Sequence, residues 1–341
     1  MLFSSKLEFG NYTLRFGDER VLLDLFDEIV MPSFHEMRYI RKLKGKGDYF
    51  FLDTKLVILD DSLDTPVLGV SGRLVKNARL KREQVYRPED GIVEDRSELE
   101  TAPSSTFLLI LNNHRLILSK EMPGAPTIQN FQSTSQYCLK NRHRDYIKEI
   151  YEEEKSKRIK NPELQRVTKK SLYAKFPSPI LRITPLSDKE SLKDFVDRLK
   201  HIDKVTIKLL STNKEEINND DFWSDFGRRR DEMNSNSAKV EFTNTKHGLN
   251  KDQVYGQTSS ASDLGNSEIS FKGYDMQGDT IRGSNEDFNL IVELDELPRN
   301  AEEAARVKYQ QFKQLVHSSA ISVPELATEV VNRIKDLFSR L

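Results

Sequence analysis

The sequence predicts an α+β fold in two domains. The first is strand-rich. The second is of ferredoxin-like type, built around a β–α–β unit with closing helices. Three observations lead there. Residues 1–140 break into short apolar segments separated by Asp- and Asn-rich turns, the pattern of strands. A Pro-rich joint, Phe176-Pro177-Ser178-Pro179, ends a charged stretch, and a strand–helix–strand pattern follows it directly. At 341 residues, the chain also exceeds the size at which single cores stop growing. The predicted units are 1–140, a charged helical connector over 141–178, and 179–341.

Along the chain, Val21, Leu22, Leu25, Phe26 and Ile29 fall at helical spacing, and Pro32 is expected to stop that helix. Tyr49–Leu52, Leu56–Leu59 and Pro66–Val75 read as strands. Thr106–Leu111 and His114–Leu118 flank Asn112-Asn113, a pair suited to the positive φ of a tight hairpin. Pro123-Gly124-Ala125-Pro126 breaks the chain. A helix is expected from Thr127, with Ile128, Phe131, Cys138 and Leu139 on its inner face. In the connector, Glu152, Glu153 and Glu154 precede Lys157 and Arg158 at spacings that suit exposed helical pairing.

Beyond the joint, Ile180–Leu186 and Lys204–Leu210 read as strands around a helix with Leu192, Phe195, Val196 and Leu199 on its apolar face. Ser187-x-x-Glu190 resembles the capping box of that helix. Residues 220–233 read as a helix, Ala238–Thr243 as a strand, and 244–267 as a polar loop holding at most one helix. Gly256–Ser267 is the expected mobile segment. Glu268–Tyr274 and Thr280–Arg282 flank the turn Met276-Gln277-Gly278-Asp279, and Phe288–Leu294 adds a strand. Helices at 300–317 and 323–340 close the chain, the second opening on Ser322-x-x-Glu325.

Composition excludes several classes. Hydrophobic residues make up 37% and charged residues 31%, and eighteen Phe with eleven Tyr supply core material that a disordered chain lacks. A single cysteine, Cys138, rules out an internal disulfide framework and a Cys-based zinc site. The longest apolar run, Phe107–Leu111, is far short of the ~20 residues of a membrane span. The N-terminus lacks the apolar core of a secretory signal. A soluble cytoplasmic protein without a bound cofactor is the expectation.

Charge is segregated beneath a formal net of −1. Residues 38–46 hold Arg38, Arg41, Lys42, Lys44 and Lys46 and no acid, and residues 48–64 then swing to about −4. Residues 73–87, with Arg73, Lys76, Arg79, Lys81, Arg82 and Arg87 against Glu83, return to about +5; 89–100 drop to about −5. From 140 to 175, twelve Lys/Arg face six acids. Blocks of this size produce strong local potentials whatever the total.

A polyanion site needs Lys and Arg arrayed on one face, because counterion release supplies most sequence-independent affinity. If the two N-terminal blocks neighbour each other, Arg38, Arg41, Lys42, Lys44, Lys46, Arg73, Lys76, Arg79, Lys81 and Arg82 form a basic wall. The competing reading pairs each block with its neighbouring acidic block. Aromatics are not interleaved, which disfavours base-stacking single-strand readers and suits phosphate contact to a duplex. Gly45 and Gly47 could bring amides and ammonium groups to a phosphate, or simply make a basic turn. Arg228, Arg229 and Arg230 sit among Asp225, Asp231 and Glu232 and suit internal pairing.

Nuclease chemistry needs clustered carboxylates for a metal. Asp53-Thr54-Lys55 is the one acid-x-Lys pattern in a suitable place, and no acid in a Pro-Asp context precedes it. Asp60, Asp61 and Asp64 suit a turn, while Asp220, Asp221 and Asp225 suit a helix start. The six histidines are scattered, and His114, after the Asn112-Asn113 turn, could be exposed. No P-loop, dinucleotide fingerprint or nucleophile elbow appears.

Three stretches carry a resemblance. Tyr39–Asp53 resembles the early strand–turn–strand of the RexA phage-exclusion family. Ser105–Leu118 with Pro123-Gly124-Ala125-Pro126 is similar to that family's central strand pair and following turn. Ile269–Ile281, before a helix at 300–317, resembles its C-terminal hairpin and closing helix. Ile180–Leu186 also sits where that family begins its second domain. The resemblance implies a two-domain α+β homodimer that holds double-stranded DNA in a basic channel, much as RdgC-like proteins ring DNA. It also implies a role in antiphage defence with a second defence-system protein. This chain is longer, through 141–178 and 244–267, so only the 38–46 contacts transfer.

Two classes follow. One is a sequence-independent duplex-DNA binder in prokaryotic antiphage defence. The other is a protein–protein sensor or effector of abortive infection that does not touch DNA. A metal-dependent nuclease at Asp53 is the third reading.

Overall fold

The structure is a computed structural model. It describes residues 5–17, 19–210, 221–235, 237–324 and 326–341, the side chains at 95 and 221 excepted. The N-terminal region comprises β1 (Ser5–Phe16), β2 (Arg20–Val21), α1 (Met31–Ser33), β3 (Arg41–Leu43), β4 (Gly47–Asp60), β5 (Val67–Arg87), β6 (Gly91–Thr101), β7 (Ser104–Ile110), β8 (Arg115–Lys120) and α2 (Ile128–Lys160). After α3 (Lys169–Lys175) come β9 (Pro179–Pro185), α4 (Lys189–Arg198), β10 (His201–Leu210), α5 (Asp221–Glu232), β11 (Ser237–Thr243) and α6 (Lys251–Ser262). The chain closes with β12 (Ser267–Tyr274), β13 (Thr280–Ser284), β14 (Ile291–Leu294), α7 (Ala301–His317) and α8 (Thr328–Ser339).

Among the described residues, ten strands join one sheet along the path β14-β1-β8-β7-β5-β4-β3. β2 and β9 pair with β1, and β6 pairs with β5. Four strands form a second sheet in the order β11-β10-β12-β13. The architecture is therefore α+β in two regions, as the residue pattern predicts.

The large sheet is covered on both faces at its centre, which is why β7 reads as a continuous apolar run. On one face Phe107 and Leu109 meet Ile128, Phe131, Cys138 and Leu139 of α2 and Val330, Ile334 and Leu337 of α8. On the other, Leu108 and Ile110 meet Ala305, Tyr309 and Phe312 of α7. Phe34, Phe51, Phe107 and Phe131 form an aromatic knot with centroids 4.8–6.3 Å apart. The smaller sheet packs Ile207, Ile269 and Phe271 against Leu192, Phe195, Val254 and Ala261 of α4 and α6.

Several expectations are corrected. The β–α–β unit is split, because β9 pairs antiparallel with β1 in the large sheet while β10 lies in the small one. Gln136 and Gln132 of α2 accept the Leu181 and Ile183 amides at 2.7 and 2.8 Å, which ties β9 to the N-terminal region. Every pairing in the small sheet is antiparallel, so it holds no parallel β–α–β pair. β14 also pairs with β1, and the two closing helices pack on the large sheet.

Locally, residues 22–33 form an irregular helical run, and Pro32 lies in the first turn of α1, where a missing amide hydrogen is tolerated; the run ends one residue later, at Ser33. Positive φ in the β7–β8 turn falls on His114, at 54°, and His114 is buried at 1% exposure. Asp188, not Ser187, caps α4, accepting from the Ser191 amide at 2.8 Å. Gly256–Ser262 continues α6, whose Val254, Thr258 and Ala261 are buried at helical spacing. α2 starts at the Thr127 cap and runs unbroken to Lys160. The cap expected at Ser322-x-x-Glu325 involves Glu325, which lies outside the described residues.

Candidate nucleic-acid interface

The first basic block is an exposed corner of the large sheet. After α1 the chain turns through Met37 at φ 50°, whose amide donates to the Phe51 carbonyl at 3.1 Å. Tyr39 anchors the segment: its hydroxyl donates to Asp145 of α2 at 2.6 Å, and the Cys138 thiol meets its carbonyl at 3.6 Å. Burial, with Asp145 beside it, pushes the Tyr39 phenol up to about 12. β3 and β4 then form a hairpin closed by Lys44–Lys46, with Gly45 and Gly47 at φ 74° and 99°. A Cβ on Gly47 would stand 2.6 Å from the Asn77 carbonyl, so this glycine lets the hairpin lie against β5.

On that corner Arg38, Lys42, Lys44 and Lys46 are exposed. The three lysines make no ion pair with a described residue, although Asp48 lies opposite Lys42 in register. Arg38 stacks on the Tyr39 ring at 5.5 Å. Arg41 is half-buried instead, 5.8 Å from the Tyr49 centroid and 3.5 Å from the Thr134 hydroxyl.

The second block divides. Lys76 joins the first, since Arg41, Tyr49 and Lys76 are aligned across β3, β4 and β5. Arg73 is held by Asp53, by Glu121 at 3.0 Å and by the Arg299 carbonyl. From Ala78 onward β5 leaves the sheet and pairs only with β6, making a two-stranded arm. There Arg79 meets Glu98 and Glu100, each at 3.5 Å, and Lys81 meets Glu98 at 3.3 Å. Exposed cross-strand pairs of this kind are worth roughly 0.2–1 kcal/mol each, but they cancel the local field. Arg82 points to the opposite face of the arm. The structure therefore brings together 38–46 with Lys76, and carries Arg79, Lys81 and Arg82 away.

One further basic feature was not among the predicted sites. Lys140, Arg144 and Lys148 are exposed at spacings of four along α2, and none makes an ion pair with a described residue. Asp145, the partner of Tyr39, is adjacent, so this row lies about 100° around the helix from the face that meets β3. The spacing was visible in the sequence, but the charged connector masked it. Elsewhere, Arg228 and Arg229 pair with Asp225 and Glu232, and Arg230 is buried against the Leu210 carbonyl, as internal pairing requires.

The nuclease pattern is occupied differently. Asp53, at φ 54°, spends its carboxylate on Arg73, and among the described residues no three His, Cys, Asp or Glu cluster as metal ligands. His114 is buried, and its imidazole is pushed down to about 4 by burial and then by Arg115. A cleft of about 540 Å³ opens between the start of α2, β9 and the small sheet, but its Lys208 and Gln129 are taken by Glu268 and Glu286.

A buried polar island lies under α7. Lys308, at 0% exposure, donates to the Thr106 hydroxyl at 2.6 Å. Arg73, Thr106 and Ser119 are aligned across β5, β7 and β8, so all three face α7. The buried Ser71 and Ser119 hydroxyls have no hydrogen-bond partner among the described residues. Burial pushes the Lys308 ammonium down to about 7.

No family model matches this chain, and no curated protein matches it. Among the described residues, no helix is long and apolar enough to cross a membrane.

Proposed function

We propose that this protein binds double-stranded DNA without sequence preference, through Arg38, Lys42, Lys44 and Lys46, with Lys76 and the α2 row Lys140, Arg144 and Lys148 extending the contact. One observation carries the reading. Of the two basic blocks, the one at 38–46 keeps its lysines exposed and without carboxylate partners, whereas the other is neutralised by its own hairpin. The chemistry is phosphate contact: flexible ammonium groups on a rigid hairpin track a backbone and read no base edges. Four such contacts give log K against log salt a slope of about −3.6, hence a roughly hundredfold loss of affinity from 50 to 200 mM salt. Action in the cytoplasm, in antiphage defence alongside a second defence protein, rests on the RexA-like sequence resemblance alone.

Fluorescence anisotropy with a short labelled duplex tests this. Lys42→Glu/Lys44→Glu/Lys46→Glu should abolish measurable binding at moderate salt, and neutral Gln versions should lower the salt slope by roughly 3. A slope unchanged in the Gln variant overturns the reading. A second reading, a protein–protein sensor or effector that never touches DNA, is favoured by the projecting arm. Failure of the wild type to shift any DNA at low salt would select it.

A further inference from the structure

The cleft beside the start of α2 lies where the large-sheet region and the small sheet meet. Its volume, about 540 Å³, falls within the roughly 300–1,000 Å³ of small-molecule sites, which favour such junctions. Its two walls differ in chemistry.

Register builds the polar wall. Val205, Ile207, Ile269 and Phe271 pack inward in the core of the small sheet. The period of two therefore turns Thr206, Lys208, Glu268 and Ser270 to the opposite face. Thr206, Ser270 and Ser284 are aligned across β10, β12 and β13. Neighbouring strands lie about 5 Å apart, so these hydroxyls form a row about 10 Å long. Lys239, Lys208 and Glu268 form the next row. The facing wall is aliphatic, made by Ile128 of α2 with Ile183 and Pro185 of β9. Gln132 stands beside it with its Oε1 accepting the Ile183 amide at 2.8 Å, which leaves its amino group to donate.

Charge narrows the ligand. Among the lining residues Lys208 and Lys239 are balanced by Glu268 and Glu286. Lys208 meets Glu268 at 2.9 Å, and Gln129 donates to Glu286 at 2.7 Å. A charged ligand thus gains no net Coulomb attraction and must lie near a like charge. Among the described residues no aromatic ring lines the cleft, so a nucleobase finds no stacking platform. What remains is a set of donors and acceptors on one side and a C–H surface on the other.

We propose that this cleft binds an uncharged carbohydrate of one or two rings. A sugar carries hydroxyls that donate and accept at once around its rim, and C–H groups on its faces. Those hydroxyls accept from Lys208, Lys239 and Gln132 while donating to Glu268 and Glu286. Ser270, at the centre of the hydroxyl row, makes no side-chain hydrogen bond to a described residue and is free to join them. The Lys208–Glu268 pair is exposed and weak, so a hydroxyl can insert into it at little cost. Ile128, Ile183 and Pro185 cover the C–H face. None of these residues belongs to the DNA contact proposed above, so the two readings stand or fall separately.

Isothermal titration calorimetry of the full chain tests this with glucose, galactose, mannose, N-acetylglucosamine, maltose and cellobiose. Leucine, octanoate and ATP serve as charged comparators. At least one sugar should bind with a Kd of about 1 mM or tighter, and each comparator should bind more weakly than that sugar. Ser270→Leu sets a branched side chain in the middle of the hydroxyl row, on exposed strand surface. It should weaken sugar binding by roughly tenfold or more with an unchanged circular dichroism spectrum. Should that variant fold poorly, the nearly isosteric Thr206→Val decides, with an expected severalfold loss. Arg282→Ala, on the same sheet face outside the cleft, should change nothing. Failure of every sugar to bind, tighter binding of a comparator, or full sugar affinity in the deciding variant each overturns the proposal.

Discussion

Replacing Lys308 with Met probes the buried island under α7. In the folded protein the amine loses hydration, and the residue's pKa falls from 10.5 to about 7. After burial, the charges that act on it are Glu121, which favours the ammonium, and Arg73, which opposes it. In the unfolded chain the amine stays protonated up to about 10.4. Between those values the unfolded state binds more protons, so stability must rise with pH across this window and be flat, for this group, below it. The full penalty at low pH is on the order of 5 kcal/mol, and about 2 kcal/mol of it should be recovered between pH 7 and 9. Met fills a similar volume without a charge and gives up the hydrogen bond to Thr106, worth about 1 kcal/mol. Urea denaturation of both proteins from pH 6 to 9 measures the difference. Lys308→Met should be the more stable protein at pH 6–7, with its advantage shrinking by about 2 kcal/mol by pH 9. Parallel stability–pH profiles for the two proteins would refute the reasoning.

Phe107→Ala removes the ring at the centre of the aromatic knot and should lower stability by about 3–5 kcal/mol, read as a urea midpoint shift at constant m-value. His114, with its pKa lowered to about 4, should keep neutral-imidazole NMR shifts from pH 7 to 5. The unfolded chain protonates this residue near 6.5, so it should also erode stability as pH falls from 6.5 towards 4. Gly47→Val, which forces a side chain onto the Asn77 carbonyl at positive φ, should weaken DNA binding and lower stability by at least 1–2 kcal/mol. Lys140→Gln/Arg144→Gln/Lys148→Gln should lower the salt slope by up to 3 with little change in melting temperature, and an unchanged slope would remove α2 from the interface.

What the sequence makes legible is local. Thr127 marks the start of α2 because a hydroxyl cap and the following apolar spacing are read within a few residues. Alternation in 269–281 gives the β12–β13 hairpin for the same reason. Sheet membership is a different matter. Leu181 and Ile183 look the same whether their strand pairs with β10 or with β1, and only the glutamines of α2, forty-five or more residues away, decide it. α6 was hidden by composition: Ser259, Ser260 and Gly256 read as loop, while Val254, Thr258 and Ala261 carry the buried spacing. The arm was hidden by charge. Arg87-Pro88-Glu89-Asp90-Gly91 is a turn sequence ending in a glycine at φ 72°, but it also marks the boundary between a basic and an acidic block.

That coincidence explains why two blocks of similar charge end in opposite electrostatic states. A hairpin turn placed at a change of sign folds the acidic strand back onto the basic one, so Arg79 and Lys81 of β5 find carboxylates across the ladder. In 38–46 the turn instead falls inside the basic block, at Lys44–Lys46. It folds base upon base, and only Asp48 comes opposite, at Lys42. The acids that follow lie farther along β4 and beyond it, where Asp53 serves Arg73 and Asp60 serves Lys313. Whether a charge block becomes a partner surface thus depends less on its net charge than on where the chain reverses relative to the change of sign.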